Sequence, residues 1–201
     1  MQHAYDEHLA NNRYYDRNFK ADAAKILPGE YFVSDQGMLL VTLLRSCVAA
    51  CIRDVDSGIG GMNHFMLPDD VGRDTVGSSA RYGTYAMEVL INHLFKMGAR
   101  RNRLEAKVFG GGAVLASLSS SNVGARNAEF VLDYLKTEKI PVVAKDLLDS
   151  YPRKVYYFSQ TGRVLVKKLH RVHNETLFSR ERDYKDRLSS AKVEGDVELF
   201  I

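Results

Sequence analysis

Two cysteines and one histidine are the residues of this 201-residue chain whose types and spacing suggest covalent chemistry. Cys47 and Cys51 stand four residues apart, and His64 follows on the far side of a turn-like segment. A cysteine attacks an amide carbon as its thiolate, and a free thiol with a pKa of about 8.5 is mostly protonated at neutral pH. Histidine is the usual group that removes this proton, so the pattern permits attack by a cysteine nucleophile if the fold joins the two side chains.

The sequence on both sides of that turn predicts a β-hairpin that positions the cysteine and the histidine. Residues 48–53 and 59–67 have the composition of strands, and residues 54–58 (DVDSG) form the connection between them. We expect the hairpin to fold symmetrically between Asp56 and Ser57. The register of every residue pair then follows from the turn.

This register decides whether the two side chains meet. Ala49 lies opposite His64, and Cys47 lies opposite Met66, which places Cys47 and His64 diagonally on one face of the hairpin. A shift of one residue sends His64 to the opposite face. The spacing therefore permits the pair without fixing it.

Three other interpretations of the same residues stay open at this point. Free cysteine is among the most buried residue types, so Cys47 beside a histidine is also compatible with an ordinary core position. Cys51 shares strand parity with Cys47 and is either a core residue or the actual nucleophile. Two cysteines and His64 would also give three zinc ligands, although a Cys-x3-Cys pair on a strand does not match the spacing of structural zinc sites.

The rest of the chain predicts mixed sheets with two main helices. The predicted elements are a strand at 38–44, a helix from Ser78 and Ser79, which can cap it, to Met97, a strand at 104–109, a helix at 123–136, a strand at 141–144 and a hairpin formed by 154–159 and 163–169. Gly110 to Gly112 form either a loop that approaches the site closely or a simple turn from strand to helix. Arg126 and Asn127 are predicted to be surface or packing residues of the second helix.

Composition indicates a soluble globular protein with one sizeable core. The chain is 45% hydrophobic and 26% charged, without a run of about 18 apolar residues, so we expect no membrane span, no signal peptide and a cytoplasmic location. Two cysteines fit reduced thiols better than a disulfide framework. The formal net charge of +3, with basic and acidic residues interleaved, does not indicate a nucleic-acid partner.

The chain divides into three predicted parts. Residues 1–25 form a polar, loosely attached N-terminal arm, and ordered structure begins near Ile26. Residues 26–169 form the folded domain. Residues 170–201 form a charged C-terminal extension, either an added helix or a partly disordered tail.

Four segments resemble the chemoreceptor glutamine deamidases called CheD. They are LLVTLLRSCVAACIRDVDSGIGGMNHFMLP (Leu39 to Pro68), SARYG (Ser79 to Gly83), KVFGGGAVL (Lys107 to Leu115) and NVGARNAEFVLDYL (Asn122 to Leu135). The resemblance spans about residues 36–169. A Ser-Cys dipeptide, the later Asn-His-Phe-Met-Leu-Pro run and a Phe-Gly-Gly-Gly motif make the combination specific.

The resemblance implies an α+β fold, with mixed β-sheets in a layered sandwich flanked by two main helices, similar to the deamidase domain of the cytotoxic necrotizing factors. It implies a thiol hydrolase in which Cys47 is the nucleophile, His64 the base and Thr42 the group that orients the imidazole. Arg45 stands where the family usually has glycine. Its charge is expected to depress the thiol pKa, or its side chain to alter the turn and the substrate entrance.

The resemblance also implies a reaction and its partners. The expected reaction converts glutamine side chains of methyl-accepting chemotaxis receptors to glutamate with release of ammonia, without a cofactor or a metal. Some relatives also hydrolyse receptor methyl esters. The alternative is a non-catalytic chemotaxis adaptor that binds a receptor or a chemotaxis phosphatase. The basic residues of 170–192 predict either docking on the acidic helices of a receptor or a solvated tail without a partner.

Overall fold

A computed structural model of the chain describes residues 8–68, 76–113 and 123–169, together with Ser179, Asp183, Tyr184, Asp186 and Arg187. In chain order the elements are β1 (Asn12–Asp16), β2 (Ala21–Lys25), β3 (Tyr31–Ser34), β4 (Leu39–Leu44), β5 (Val48–Asp54), β6 (Gly60–Asn63), α1 (Val76–Lys96), a 3-10 helix (Arg101–Arg103), β7 (Leu104–Gly110), α2 (Val123–Thr137), β8 (Val142–Leu147), β9 (Arg153–Phe158) and β10 (Val164–Lys168).

The strands form two five-stranded sheets. The first sheet has the order β1-β2-β4-β9-β10, and the second has the order β3-β6-β5-β7-β8. Strands β2 and β4 pair in parallel, as do β7 and β8, whereas the other pairs are antiparallel. The expected α+β fold with mixed sheets and two main helices is therefore confirmed. The similarity to the cytotoxic necrotizing factor domain stays a prediction.

The two sheets and the helices stack as three layers with an apolar core on each side of the second sheet. One core lies between the sheets and includes Leu40 and Leu44 of β4 and Cys51 of β5. The other lies between the second sheet and the helices, with Ala50 of β5 and Leu90 of α1 among its members. Strand β5 is apolar on both faces because both faces are covered.

Helix α1 packs closely against α2. A Cβ atom on Gly83 would lie 2.5 Å from the ring of Phe130, so the glycine permits this approach. The expected capping by Ser78 and Ser79 is wrong, since the helix begins at Val76 and both residues lie within its first turns. The Ser79 hydroxyl donates to the Pro68 carbonyl at 2.9 Å. Neither described helix is long and apolar enough to cross a membrane.

The expected loose attachment of the N-terminal arm is wrong for residues 12–25. They form the hairpin of β1 and β2, and β2 pairs with β4 from Ala23 opposite Leu39 to Lys25 opposite Val41. Ala23 and Ala24 are fully buried. Small alanine side chains give a weak apolar pattern, which is why the sequence did not indicate this strand. The division into three parts stays a prediction, and most of residues 170–201 lie outside the described residues.

Candidate active site

The turn after β5 fixes the register of the central hairpin. The Asp54 carboxylate accepts hydrogen bonds from the backbone N–H groups of Asp56 at 3.0 Å and Ser57 at 3.1 Å, and Gly58 has a φ of 70°. Strands β5 and β6 then pair from Arg53 opposite Gly60 to Cys51 opposite Met62. This register is the one that a symmetrical fold between Asp56 and Ser57 predicts, so that prediction is confirmed.

Beyond β6 the same register continues to a bridge between Val48 and Phe65. Those two residues face the helices, whereas Cys47 and Met66 belong to the core between the sheets. His64 shares the parity of Met66. Its side chain therefore points between the sheets, on the face that carries Cys47.

A hydrogen bond from the first sheet holds the His64 ring. The Thr42 hydroxyl on β4 lies 2.8 Å from Nδ1 of His64 and donates to the Ile26 carbonyl at 2.7 Å. A hydroxyl carries one proton, so with that proton on Ile26 the Nδ1–H of His64 donates to Thr42. The neutral ring then has its lone pair on Nε2.

The environment of His64 keeps the ring neutral. The residue is 2% exposed, and burial lowers the pKa of the imidazole to about 4. Nε2 is buried and has no hydrogen-bond partner among the groups that the structure describes. At neutral pH the ring is thus a base with an available lone pair, not an imidazolium.

Cys47 lies in the short connection that carries the chain from β4 in the first sheet to β5 in the second. It is not part of a disulfide, and its exposed fraction is 0%. Cys51 is likewise buried outside any disulfide, but it lies in the middle of β5, and burial raises its pKa. A raised pKa disfavours the thiolate, so Cys51 has the properties of a core residue.

The glycine run after β7 lies against the backbone of this connection. Gly111 N–H donates to the Cys47 carbonyl at 2.8 Å, and Gly112 N–H donates to the Arg45 carbonyl at 2.6 Å. A Cβ atom on Gly110 would lie 2.2 Å from the Cys47 carbonyl oxygen. Of the two interpretations left open by the sequence, the structure supports the close approach to the site.

Arg45 is buried at the start of the same connection, so its side chain is not a solvent-exposed charge. The expected effects of Arg45 on the thiol pKa and on the substrate entrance stay predictions.

Asn127 is a site residue that sequence reasoning missed. It was expected at the surface or in ordinary packing, but it is 0% exposed and its amide contacts the segments on both sides of the candidate pair. The signal was a polar residue on the buried stripe of α2. That stripe comprises Gly124, Asn127, Ala128, Val131 and Leu135. Arg126 donates to the Pro68 carbonyl at 3.2 Å.

Two tyrosines belong to the same surroundings. The hydroxyl groups of Tyr82 and Tyr184 form a hydrogen bond, and both phenols interact electrostatically with Cys47. Burial raises the pKa of both phenols, so they stay protonated at neutral pH. Tyr184 is buried although it belongs to the expected charged extension.

The described part of the chain contains no group of three or more His, Cys, Asp and Glu side chains arranged to hold a metal ion.

Comparison with known proteins supports the resemblance read from the sequence. The sequence model of a family described as CheD chemotactic sensory transduction matches residues 66–168. A protein of Dechloromonas aromatica is 83% identical over 201 residues, and proteins of Janthinobacterium sp. and Thiobacillus denitrificans are each 62% identical over 202 residues. Each alignment covers 100% of this chain and of the relative. All three relatives carry the name probable chemoreceptor glutamine deamidase.

Proposed function

This chain belongs to the CheD family, and from that premise we propose that it is a protein-glutamine deamidase acting on methyl-accepting chemotaxis receptors. The observation that carries the proposal is the 2.8 Å contact between Thr42 and His64, which leaves Nε2 of a neutral ring on the face that carries Cys47. The names of the relatives supply the substrate class. Thr42, His64 and Cys47 act as orienting group, base and nucleophile.

In the first step the Cys47 proton moves to Nε2 of His64 as the sulfur attacks the substrate. The sulfur attacks the side-chain carbonyl carbon of a receptor glutamine, so that an S–C bond forms and the carbonyl π electrons move to oxygen. Backbone N–H groups of the connection near Cys47 stabilise the oxyanion. The glycine run holds this connection, since Gly111 and Gly112 donate to its carbonyls.

The second half of acylation breaks the C–N bond. The His64 imidazolium returns its proton to the amide nitrogen, ammonia leaves, and a thioester with Cys47 remains. His64 then removes a proton from water as the water oxygen attacks the thioester carbon. The C–S bond breaks when the intermediate collapses, and the imidazolium gives that proton to the Cys47 sulfur. The products are a glutamate side chain and the free thiol. The overall stoichiometry is amide plus water to acid plus ammonia, and no cofactor takes part.

The low pKa of His64 decides how the proton moves. An imidazole pKa of about 4 lies well below the value of about 8.5 for an ordinary cysteine in water, so complete transfer of a thiol proton to the ring before the attack is unfavourable. The pair therefore rests as thiol and neutral imidazole. Proton transfer accompanies the attack, and the imidazolium that forms is a strong acid for the leaving ammonia.

A substrate must reach a site that is closed in this structure, because both Cys47 and His64 are buried. Side chains that cover the pair have to shift when a receptor glutamine binds. Among the residues that the structure describes, the phenols of Tyr82 and Tyr184 interact with Cys47. A shift that opens the site would break the hydrogen bond between their hydroxyl groups.

Mass spectrometry of a receptor cytoplasmic fragment tests the proposal. Incubation with the wild-type protein should convert specific glutamines to glutamate, and the His64→Ala variant should leave them as amides. A wild-type protein that binds the fragment without converting any glutamine would instead support the alternative function, an adaptor for a receptor or a chemotaxis phosphatase. A cytoplasmic location fits a substrate that is the cytoplasmic part of a receptor.

A further inference from the structure

Asn127 of α2 joins the two backbone segments that carry the candidate nucleophile and base. Its Oδ1 accepts a hydrogen bond from Leu67 N–H at 2.8 Å, and its Nδ2 donates to the Ser46 carbonyl at 2.8 Å. Ser46 directly precedes Cys47. Leu67 directly follows Met66, the residue opposite Cys47 in the hairpin register. One buried carboxamide therefore contacts the backbone on both sides of the site.

The position of this carboxamide within the hairpin ladder is specific. Val48 and Phe65 exchange two backbone hydrogen bonds of 3.0 Å, which makes them a hydrogen-bonded pair. In an antiparallel ladder such pairs alternate, so Ser46 and Leu67 are the next residues in register to exchange them. The amide of Asn127 instead contacts the donor of Leu67 and the acceptor of Ser46 that would otherwise pair with each other.

A carboxamide between these groups keeps the strands from closing directly. Cys47 and Met66 lie between the inserted amide and the Val48–Phe65 pair, which is the last to exchange backbone hydrogen bonds. The insertion is therefore next to the candidate nucleophile. We propose that Asn127 is a positioning residue that holds this end of the hairpin apart and sets the place of the Cys47 sulfur relative to His64. The inference rests on the proposed function of Cys47 and His64. It adds that Asn127 determines how these two side chains are placed relative to each other.

A merely structural role would change stability alone, whereas a positioning role also changes how the thiol reacts. The test uses the full-length protein with Cys51→Ala, so that Cys47 is the thiol that iodoacetamide modifies. The pH profile of Cys47 alkylation is measured with and without Asn127→Ala. We expect the Asn127→Ala profile to move toward that of an ordinary free thiol, and kcat for receptor deamidation to fall about 10- to 100-fold, with KM little changed.

Ser159→Ala is the matched control. Ser159 is buried, and its hydroxyl donates to the Met38 carbonyl at 2.9 Å. It follows the last residue of β9, which pairs with the start of β4, whereas the connection that carries Cys47 leaves from the end of β4. This variant loses one side-chain hydrogen bond of a buried residue, whereas Asn127→Ala loses two. It should lower Tm while leaving kcat and the alkylation profile unchanged.

A second variant covers the case in which Asn127→Ala does not fold. Asn127→Asp keeps an acceptor for Leu67 N–H but places a carboxyl oxygen against the Ser46 carbonyl, so it should show the same changes in the alkylation profile and in kcat. If a folded Asn127 variant loses Tm but keeps both the wild-type alkylation profile and the wild-type kcat, the positioning role is overturned. Alkylation needs no receptor, so absence of deamidation in the wild type would contradict the proposed function separately.

Discussion

The hydroxyl of Thr42 and the imidazole of His64 meet across the two sheets, with Oγ1 and Nδ1 2.8 Å apart in the buried core. Thr42 belongs to β4 of the first sheet, and His64 follows β6 of the second. The contact selects the ring tautomer because the Thr42 proton is already donated to Ile26. The orientation of the His64 ring therefore depends on a residue from the facing sheet.

Thr42→Val should test this dependence. Valine keeps the shape of threonine but leaves Nδ1 of His64 and the Ile26 carbonyl without the hydroxyl, so the ring is free to rotate or change tautomer. We expect kcat for receptor deamidation to fall by a large part of the roughly 10²- to 10⁴-fold that a positioned general base contributes. Thr42→Ser keeps the hydroxyl and should retain most activity. Equal losses in both variants would show that packing, not the hydroxyl, matters at this position.

The buried His64 makes stability depend on pH. The ring titrates near pH 6.5 in the unfolded chain and at about 4 in the folded protein, so between these values the unfolded chain binds more protons. The free energy of unfolding therefore rises with pH through this window, and its His64 contribution is complete above about pH 6.5 and lost as pH falls toward about 4. From about pH 7 to about pH 5 the loss should be about 2 kcal/mol.

Urea denaturation at the two pH values measures this loss. His64→Gln removes the titrating ring, so its free energy of unfolding should change less over the same range than that of the wild type, by about 2 kcal/mol. Equal changes in the two proteins would mean that His64 is not a buried neutral imidazole.

Gly110→Ala should displace the connection that carries Cys47. Gly110 has a φ of 110°, and an added Cβ would lie 2.2 Å from the Cys47 carbonyl oxygen. Gly98→Ala is a matched control, since Gly98 has a φ of 104° but a Cβ there would meet only Ile59, at 3.9 Å.

Both glycine variants should lose stability through backbone strain, of the order of 1 to 3 kcal/mol. The Gly110 variant should lose more, because the carbonyl of Cys47 must also move, and it should lose deamidase activity. Thermal denaturation and deamidation assays separate the two effects. Retention of full activity by a folded Gly110→Ala protein would contradict a role of the glycine run in holding Cys47.

Local sequence signals predicted the hairpin and its register well. Asp54 and Gly58 determine the turn that joins β5 to β6, and the turn sets the register of the two strands. The alternation of side chains along each strand then places Cys47 and His64 on one face. The Thr42 contact needed the family resemblance, because it joins two sheets and no local pattern reports which strands face each other.

The features that the sequence did not reveal depend on long-range packing. Strand β2 escaped detection because its buried residues, Ala23 and Ala24, are small. Asn127 was missed because a polar residue on a helix is normally solvated, and only the tertiary structure brings Ser46 and Leu67 to its amide. Tyr184 was assigned to a charged extension, since a single aromatic residue among charges carries no periodic signal.

Cys47, and not Cys51, is the proposed nucleophile. Both cysteines are buried outside any disulfide, and both lie on the face between the sheets, so each variant is the natural control for the other. The measurement is the rate of ammonia release from a receptor cytoplasmic fragment with wild type, Cys47→Ala and Cys51→Ala. We predict that Cys47→Ala releases no ammonia above background, whereas Cys51→Ala keeps most of the wild-type rate. Ammonia release by Cys47→Ala, together with its loss in a folded Cys51→Ala protein, would contradict the account.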